Sequence, residues 1–489
     1  MGLSLALNSA RSALLATSSQ IAASTRNIAG ANDPNYSRKV VSLVSGAGGT
    51  TVVVTRASDA ALFTRKLSAS SAAAEGQALL DGLTALSRTV GDTSDAGSPA
   101  ARLGTLNAAL QAAANRPDDA GLARTAVESA RDLATSLDSA ASAVHDARAR
   151  ADQDMADSVA RINDLLGQFE QANRAVMRGT ASGQDVSDSL DSRDHILSQL
   201  SQEIGISVSD RAGGDMAITT DSGVPLFDRG IRTVSFTPTT AFSAGTVGAA
   251  VIVDGVPVTG AASPMRLASG RLAGLASLRD ESAVTYENQL DAIAGALITT
   301  FQEADTRSST DPNYEGPKAG LFTAGRGSGN AVPISAAGLA SRIALNAAAD
   351  PKAGGTVTAL RDGGMNGSDY GANPGKDAAY AGRLRGLVGG LATARSFTPG
   401  PPLNETTTLA GFAADSAGWL EATRKTASSD ADYQKTLLSR ATDALSNAAG
   451  VNGDDETALM LQLERSYTAS AKILTMVDGL LQNLLTAIR

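Results

Sequence analysis

Apolar or small residues recur every three or four positions near the C-terminal end of this 489-residue chain. The pattern consists of Met460, Leu463, Tyr467, Ser470, Leu474, Val477, Leu481, Leu484 and Ile488. Alternating spacings of three and four over four heptads are typical of the contact seam of a coiled coil. Asp454, Asp455 and Glu456 place negative charge where the helix begins, which the helix dipole favours. Because a narrow seam buries little surface by itself, the pattern predicts a helix that needs a partner.

A second heptad pattern lies near the N-terminal end of the chain. It consists of Leu3, Leu7, Ala10, Leu14, Thr17, Ile21, Ser24 and Ile28. Small residues at three of these positions would let two helix backbones approach closely. An ordinary amphipathic helix packed on a globular core is the alternative interpretation. The matching patterns at the two ends favour a coiled coil between the terminal helices.

The intervening sequence alternates helical and β-rich segments. Turn-forming residues break the first helix at 27–38, and β-branched residues on both sides of the GAGG sequence at 46–49 predict a hairpin. One helical run, from about 119 to 177, would be roughly 80 Å long. The predicted fold class is mostly α with an inserted β domain, combining a terminal coiled coil, a long helical rod domain and small outer β-rich insertions. The predicted domains are 1–35 with 454–489 (terminal coiled coil), 36–204 with 262–330 and 376–453 (helical rod), 205–261 (β-rich outer domain) and 331–375 (short β/turn insertion).

The composition excludes several classes of function. Only 3% of the residues are aromatic, which favours thin cores made by small residues on helices. A net charge of −9 argues against a nucleic-acid surface or an anionic membrane surface, since both attract clustered lysine and arginine. The absence of cysteine excludes disulfides and thiolate chemistry. No apolar run is long enough for membrane insertion, and residues 1–20 lack the basic and apolar regions of a secretory signal peptide.

The sequence offers no convincing catalytic, cofactor or metal site. His145 and His195 lie on helical patterns without a second histidine at ligand spacing. Residues 311–316 imitate the start of a calcium loop, but Phe322 occupies the position that needs a bidentate glutamate. Residues 371–377 resemble a phosphate-binding loop only superficially, because the glycine spacing is one residue short. We therefore expect no catalytic residues, no cofactor and no bound metal.

The segment NIAGANDPNYSR at 27–38 resembles the signature that follows the first helix in axial proteins of the bacterial flagellum. The matching residues are Asn27, Asn32, Pro34, Tyr36, Ser37 and Arg38. The Tyr-Ser-Arg ending is similar to that of the flagellar hook-associated protein 1 family, whereas Gly30 and Asn35 depart from the usual signature. Four further stretches resemble the same family: Asn115–Pro117 with Arg124, then 190–208, 269–280 and 450–485.

This resemblance implies a structural protein that forms the junction between the flagellar hook and filament by self-assembly through its terminal helices. The implied partners are other copies of the chain in a ring, the hook protein, the second junction protein and a flagellar export chaperone. The implied location is extracellular, at the hook–filament junction, after type III export without a cleaved signal peptide. Terminal helices of this kind are expected to order fully only during assembly.

Three alternatives remain open at this point. The chain could be another flagellar axial protein, namely a hook protein, a distal rod protein or a third hook-associated protein. More remotely, it could be a cytoplasmic coiled-coil sensor, whose seams would dimerise in solution, or a helical enzyme. Sedimentation of the purified chain and a secretion assay in a flagellated host would separate these classes.

Overall fold

The computed structural model describes residues 2–46, 49–325, 337–397, 403–404 and 406–487. Its α-helices are α1 (Gly2–Gly30), α2 (Ala60–Val90), α3 (Pro99–Asn115), α4 (Ala120–Ser182), α5 (Ser187–Glu203), α6 (Arg271–Ser277), α7 (Ala283–Thr300), α8 (Ala359–Asp362), α9 (Gly382–Ala392), α10 (Leu409–Ala449) and α11 (Gly453–Ala487). The strands are β1 (Lys39–Gly46), β2 (Gly49–Arg56), β3 (Ile206–Asp210), β4 (Met216–Thr220), β5 (Pro225–Phe227), β6 (Val234–Ser235), β7 (Ile252–Val253), β8 (Val256–Pro257), β9 (Phe322–Thr323), β10 (Ala344–Leu345), β11 (Arg395–Ser396) and β12 (Thr406–Thr407). The predicted fold class, mostly helical with small β insertions, is confirmed; the coiled-coil pairing of the termini stays a prediction.

Local sequence signals set the ends of the long helices. Ser98 accepts a hydrogen bond from the backbone of Ala101, and Pro99 occupies the first position of α3. Asp119 caps α4 by accepting backbone N–H bonds from its first turn. Gly183 ends α4 in the left-handed conformation, with φ of 68°, which glycine adopts without steric cost.

The helix α4 forms the spine of the molecule. Its 63 residues extend over about 95 Å. A continuous stripe of buried side chains runs along it from Ala126 to Val176, with spacings of three and four residues. Helices α3, α5 and α7 pack against this spine, and α2 packs along α10. The rod is therefore a bundle in which each long helix buries one face.

A buried cluster of charged side chains holds α7 and the preceding turn to the spine. The segment Leu278–Ser282 is a turn of π-helix between α6 and α7. From it Arg279, which is fully buried, reaches Asp152 of α4 and donates to the carbonyl of Ala249 at 2.8 Å. Arg148 donates to the carbonyl of Arg279 at 3.0 Å. Each buried guanidinium thus has acceptors, as burial of charge requires.

The β-rich segment between α5 and α6 packs on the rod. Strands β3, β4 and β5 form one antiparallel sheet, and β6, β7 and β8 form another. Phe227 of β5 meets Phe169 of α4 edge to face, with ring centroids 5.0 Å apart. Residues from these strands and from α4 belong to one hydrophobic core. The predicted division into domains stays a prediction, and residues 326–336 at one of its boundaries lie outside the described part.

The terminal helices lie outside this main core. In the part of the chain that the structure describes, the core contains no residue of α1 or α11. These two helices pack instead against each other. No helix among the described residues is both long enough and apolar enough to cross a membrane.

Candidate functional site

The end of α1, the β1–β2 hairpin and the start of α11 meet at one place. Ser24, near the end of α1, donates a hydrogen bond to the carboxylate of Glu456 at 2.9 Å, and Glu456 lies in the first turn of α11. The end of one helix therefore faces the beginning of the other, so α1 and α11 run antiparallel.

Every seventh residue of α11 faces α1. The buried positions are Glu456, Leu463, Ser470 and Val477. Met460, Leu474 and Leu481 are half-buried, whereas Tyr467 is 42% exposed. The side chain of Leu484 is not described, and Ile488 lies outside the described residues.

In α1 the small residues occupy the contact. Ala10, Ala16, Thr17, Ala23 and Ser24 are buried. Leu7, Leu14, Ile21 and Ile28 are only half-buried, and the side chain of Leu3 is not described. The predicted seam residues therefore lie at or beside the contact, but the larger ones keep part of their surface in water. Their role in assembly stays a prediction.

Asn27 joins the end of α1 to the first residue of β1. Its side-chain amide donates to the carbonyl of Lys39 at 3.0 Å and accepts from the Lys39 N–H at 2.8 Å. The Tyr36 hydroxyl donates to the same Asn27 oxygen at 3.0 Å, and burial raises the pKa of Tyr36 to about 12, so this donor stays protonated. A Cβ atom on Gly30 would lie 2.6 Å from the Tyr36 ring, so this departure from the family signature lets the ring pack.

Glu456 is the charged residue that links α11 to the turn. Arg38 donates from Nε to its carboxylate at 2.6 Å, beside the bond from Ser24. Burial raises the pKa of Glu456, but the hydrogen bonds from Arg38 and Ser24 outweigh that effect and leave the pKa below its usual value. The sequence indicated this residue only as a helix-start charge and gave no signal that it is buried.

A row of aspartates at and before α5 binds cations from the N-terminal segment. We call Asp185, Asp188, Asp191 and Asp194 the aspartate row. Arg26 of α1 lies 3.5 Å from the first, Lys39 pairs with the second and third, and Arg56 pairs with the third and fourth. The regular spacing of three residues was visible in the sequence, but the partners, more than 130 positions away, were not.

Lys39 and Asp191 are the buried charges of this contact, and Asp194 is partly buried. The Lys39 side chain is fully buried between the aspartate row and the Tyr36 ring, whose centroid lies 4.8 Å from its ammonium. Burial raises the pKa of Asp194, and Arg56 acts in the opposite direction. Because an unpaired buried charge is costly, these pairs fix the hairpin base and the end of α1 on the rod.

The remaining residues of the turn signature border a cleft. Asn32 and Pro34 are exposed, and Ser37 is partly buried. With Lys66 and Ser446 they line a cavity of about 440 Å³ between the turn, α2, α5 and α10. The cavity lies beside the contact between the terminal segment and the rod.

One side of α11 exposes large apolar residues. We call Leu459, Ile473, Met476 and Leu480 the exposed α11 surface. Three of them repeat at multiples of seven residues, beside the buried positions, so they form one stripe along the helix. A stripe of this length can bind another helix.

Two family models match the chain. The flagellar hook-associated protein FlgK helical domain matches residues 83–313, and the C-terminal model of the flagellar basal body rod FlgEFG proteins matches residues 444–487. The first covers most of the rod and the β-rich segment between α5 and α6. The second covers the end of α10 and all of α11.

Curated relatives and a solved structure point the same way. Flagellar hook-associated protein 1 of Salmonella typhimurium is 29% identical over 153 residues, which are 31% of this chain and 27% of the relative. The Escherichia coli protein of the same name is 29% identical over 147 residues, 29% of this chain and 26% of the relative. The matched segments thus span about a quarter of these relatives.

The structure of the flagellar hook junction protein FlgK from Burkholderia pseudomallei is similar with a TM-score of 0.58 at 16% identity. The match covers 78% of this chain and 99% of that one, so the fold is shared over nearly the whole neighbour. The helical-domain match and the curated relatives make this chain similar to flagellar hook-associated protein 1, and the solved structure shows that the fold is shared.

Proposed function

We propose that this chain is a structural axial protein of the bacterial flagellum that forms the hook–filament junction by self-assembly through its terminal helices. The observation that carries this proposal is the pair of faces on α11. One face buries a heptad contact against α1, and the other exposes the α11 surface defined above. Long apolar stripes are normally covered, so we infer that neighbouring subunits cover this one.

The proposal explains why the terminal helices are separate from the rod core. Few side chains are buried between α1 and α11, and isolated helices gain little stability without tertiary packing. We infer that the pair opens readily in the soluble subunit and becomes stable when neighbours add lateral contacts. This delay would limit premature assembly before export. Full protection of the Leu474 and Leu481 amides from hydrogen exchange in free subunits would contradict it.

The proposed partners follow from the same role. They are further copies of this chain in a ring, the hook protein on one side and the second junction protein on the other, with a flagellar export chaperone holding the C-terminal seam before export. We propose an extracellular location and type III export without a cleaved signal peptide. A role as a building block calls for no catalytic residue, cofactor or metal, and for neither nucleic-acid binding nor membrane insertion.

A second candidate is another flagellar axial protein. The match of residues 444–487 to the rod protein family favours it for α11 alone, whereas the helical-domain match favours the junction. Microscopy of a strain that lacks this chain separates the two. Hooks without filaments, with flagellin released into the medium, support the junction role. Loss of the hook or rod itself supports the second candidate.

Seam variants test the proposal directly. Leu474→Asp or Leu481→Asp places a charge at a half-buried contact position, and Thr475→Asp on the exposed side of α11 is the matched control. We expect the first two variants to be secreted but not retained on flagella, with the thermal unfolding of the rod unchanged. Filaments that grow normally from the Leu474→Asp chain, measured by microscopy and immunoblot, would refute the role of the seam.

A further inference from the structure

The outer face of the β1–β2 hairpin carries exposed valines. The strands pair in register, with Val40 opposite Thr55 and Ser42 opposite Val53. Because side chains alternate across a strand, Val40, Val44 and Val53 lie on one face. All three are exposed, between 39% and 51%. No third strand joins this sheet among the described residues.

The hairpin between its two basal cations has no charge. Residues 40–55 read VVSLVSGAGGTTVVVT, without a charged residue or a proline. Such β-branched, uncharged segments associate readily when they are exposed, and natural proteins usually protect them with charges or cover. A surface of this composition does not suit a charged partner. It suits an apolar one.

The base of the hairpin is held firmly. Lys39 and Arg56 are opposite each other in the register, and both bind Asp191 of the aspartate row. Two-stranded hairpins are marginally stable alone in water, so this anchor supports the position of the arm above the rod. These ion pairs at the base therefore fix the direction in which the valine face points.

The valine face continues into the exposed α11 surface. Val40 and Leu459 border the same cleft of about 110 Å³, between the hairpin, α1 and α11. Both side chains are partly exposed. Three valines bury far less than the roughly 1,200 Å² that a stable interface needs, so the face can act only as an extension of a larger contact. The adjoining α11 surface is the contact that we assign to neighbouring subunits.

We propose that the valine face of the hairpin docks on a second copy of this chain in the assembled ring. This inference rests on the proposed self-assembly and extends it to a surface outside the terminal helices. The hairpin would act as a side arm that adds lateral contact between neighbours. It would not dimerise free subunits by itself.

A charge on the valine face tests the contact. We would express Val53→Lys in a flagellated strain that lacks its own copy, with Val247→Lys as the control, since Val247 is an 89% exposed valine on the β insertion. Lysine is tolerated on a half-exposed face of the free subunit, as circular dichroism would verify, and the near-isosteric Val53→Thr should attach better than Val53→Lys. We expect Val53→Lys to reduce the attached fraction about 5- to 30-fold at unchanged secretion. The control should attach normally.

A Leu474→Asp strain, run in parallel, separates the two proposals. If it fails to attach while Val53→Lys attaches normally, self-assembly through the helices stands and the hairpin contact is wrong. If Leu474→Asp attaches normally, the proposed function itself is wrong. Photo-crosslinking from p-benzoylphenylalanine at position 53 in isolated flagella identifies the partner. A product of twice 49.3 kDa supports a second copy, whereas another mass or no product overturns the inference.

Discussion

The helices α4 and α11 have similar heptad-like patterns but opposite ways of becoming stable. In α4, 24 of 63 residues are buried, and most of them belong to the main core. In α11, only four of the described side chains are buried, all against α1. The comparison shows that periodicity predicts which face of a helix is apolar, but not whether the same chain covers it.

The two terminal segments also differ from each other. The N-terminal segment is held to the rod by three cations that bind the aspartate row. The described part of α11 reaches the N-terminal segment through one carboxylate, that of Glu456, and a narrow apolar contact. We infer that α1 and the hairpin form the fixed half of the terminal pair, and that α11 is the half that opens first.

The largest predicted difference lies between a core residue of α4 and an exposed residue of α11. Phe169→Ala removes a fully buried ring that packs on Phe227. We expect it to lower the free energy of unfolding of the rod by about 3–5 kcal/mol. Ile473→Ala, on the exposed α11 surface, should change the same quantity by less than about 0.5 kcal/mol. Chemical denaturation of the purified chain, followed by circular dichroism, measures both.

Equal effects from these two variants would break the comparison. They would mean that α11 is part of the cooperative rod, contrary to its absence from the main core among the described residues. In that case free subunits would already have stable terminal helices.

The next prediction concerns the anchor of the N-terminal segment. Asp191→Ala leaves the buried Lys39 ammonium with Asp188 alone, at 3.2 Å. We expect a loss of about 1–3 kcal/mol in the protection of the β1 and β2 amides, measured by hydrogen exchange. Asp188→Ala is the control, because Asp188 is largely exposed and surface pairs contribute at most about 1 kcal/mol. Loss of protection in α4 instead of the hairpin would contradict the anchoring role.

Much of the fold was predictable because its signals are local. Ser98 with Pro99 gave the start of α3, and the stretch Asn115–Asp118 gave the break before α4. The hairpin followed from β-branched residues on both sides of a glycine turn, although residues 47–48 of that turn lie outside the described part. Signals of this kind need no knowledge of the tertiary structure.

The rest depends on contacts between distant segments. The helical pattern at 270–304 gave no sign of the π-helical turn at Leu278–Ser282, which directs Arg279 toward Asp152. Tyr467 occupies a heptad position, yet it is exposed. Met460, Leu474 and Leu481 share its heptad position and are half-buried, so the degree of burial at this position varies along the helix. The sequence of one helix could not supply that information.

Two leucines on α11 allow a buried position to be compared with an exposed one within a single helix. Leu463 is buried against α1, whereas Leu461, two residues earlier, is 55% exposed. Leu463→Ala should lower the protection of α1 and α11 amides by about 1–2 kcal/mol in hydrogen exchange, at the low end for a leucine because the contact is narrow. Leu461→Ala should leave it unchanged. The reverse order would mean that α11 is rotated relative to the described contact.

The smallest expected effect is the pH dependence of the terminal pair. The pKa of Glu456 is lowered in the folded chain, so its contribution is fully present above the unfolded value of about 4.3 and is lost as the pH falls through the lower folded value. We expect at most about 1 kcal/mol, because Arg38 is partly exposed. The pKa of Asp194 is raised in the folded chain, so its protonation favours the folded state. Acidification should therefore not weaken the N-terminal anchor at that residue.

In an acid titration by circular dichroism, Glu456→Gln should remove the loss of helix below about pH 4.3. If the loss persists in this variant, another carboxylate controls the opening of α11, and Glu456 is not the charged residue that holds that helix.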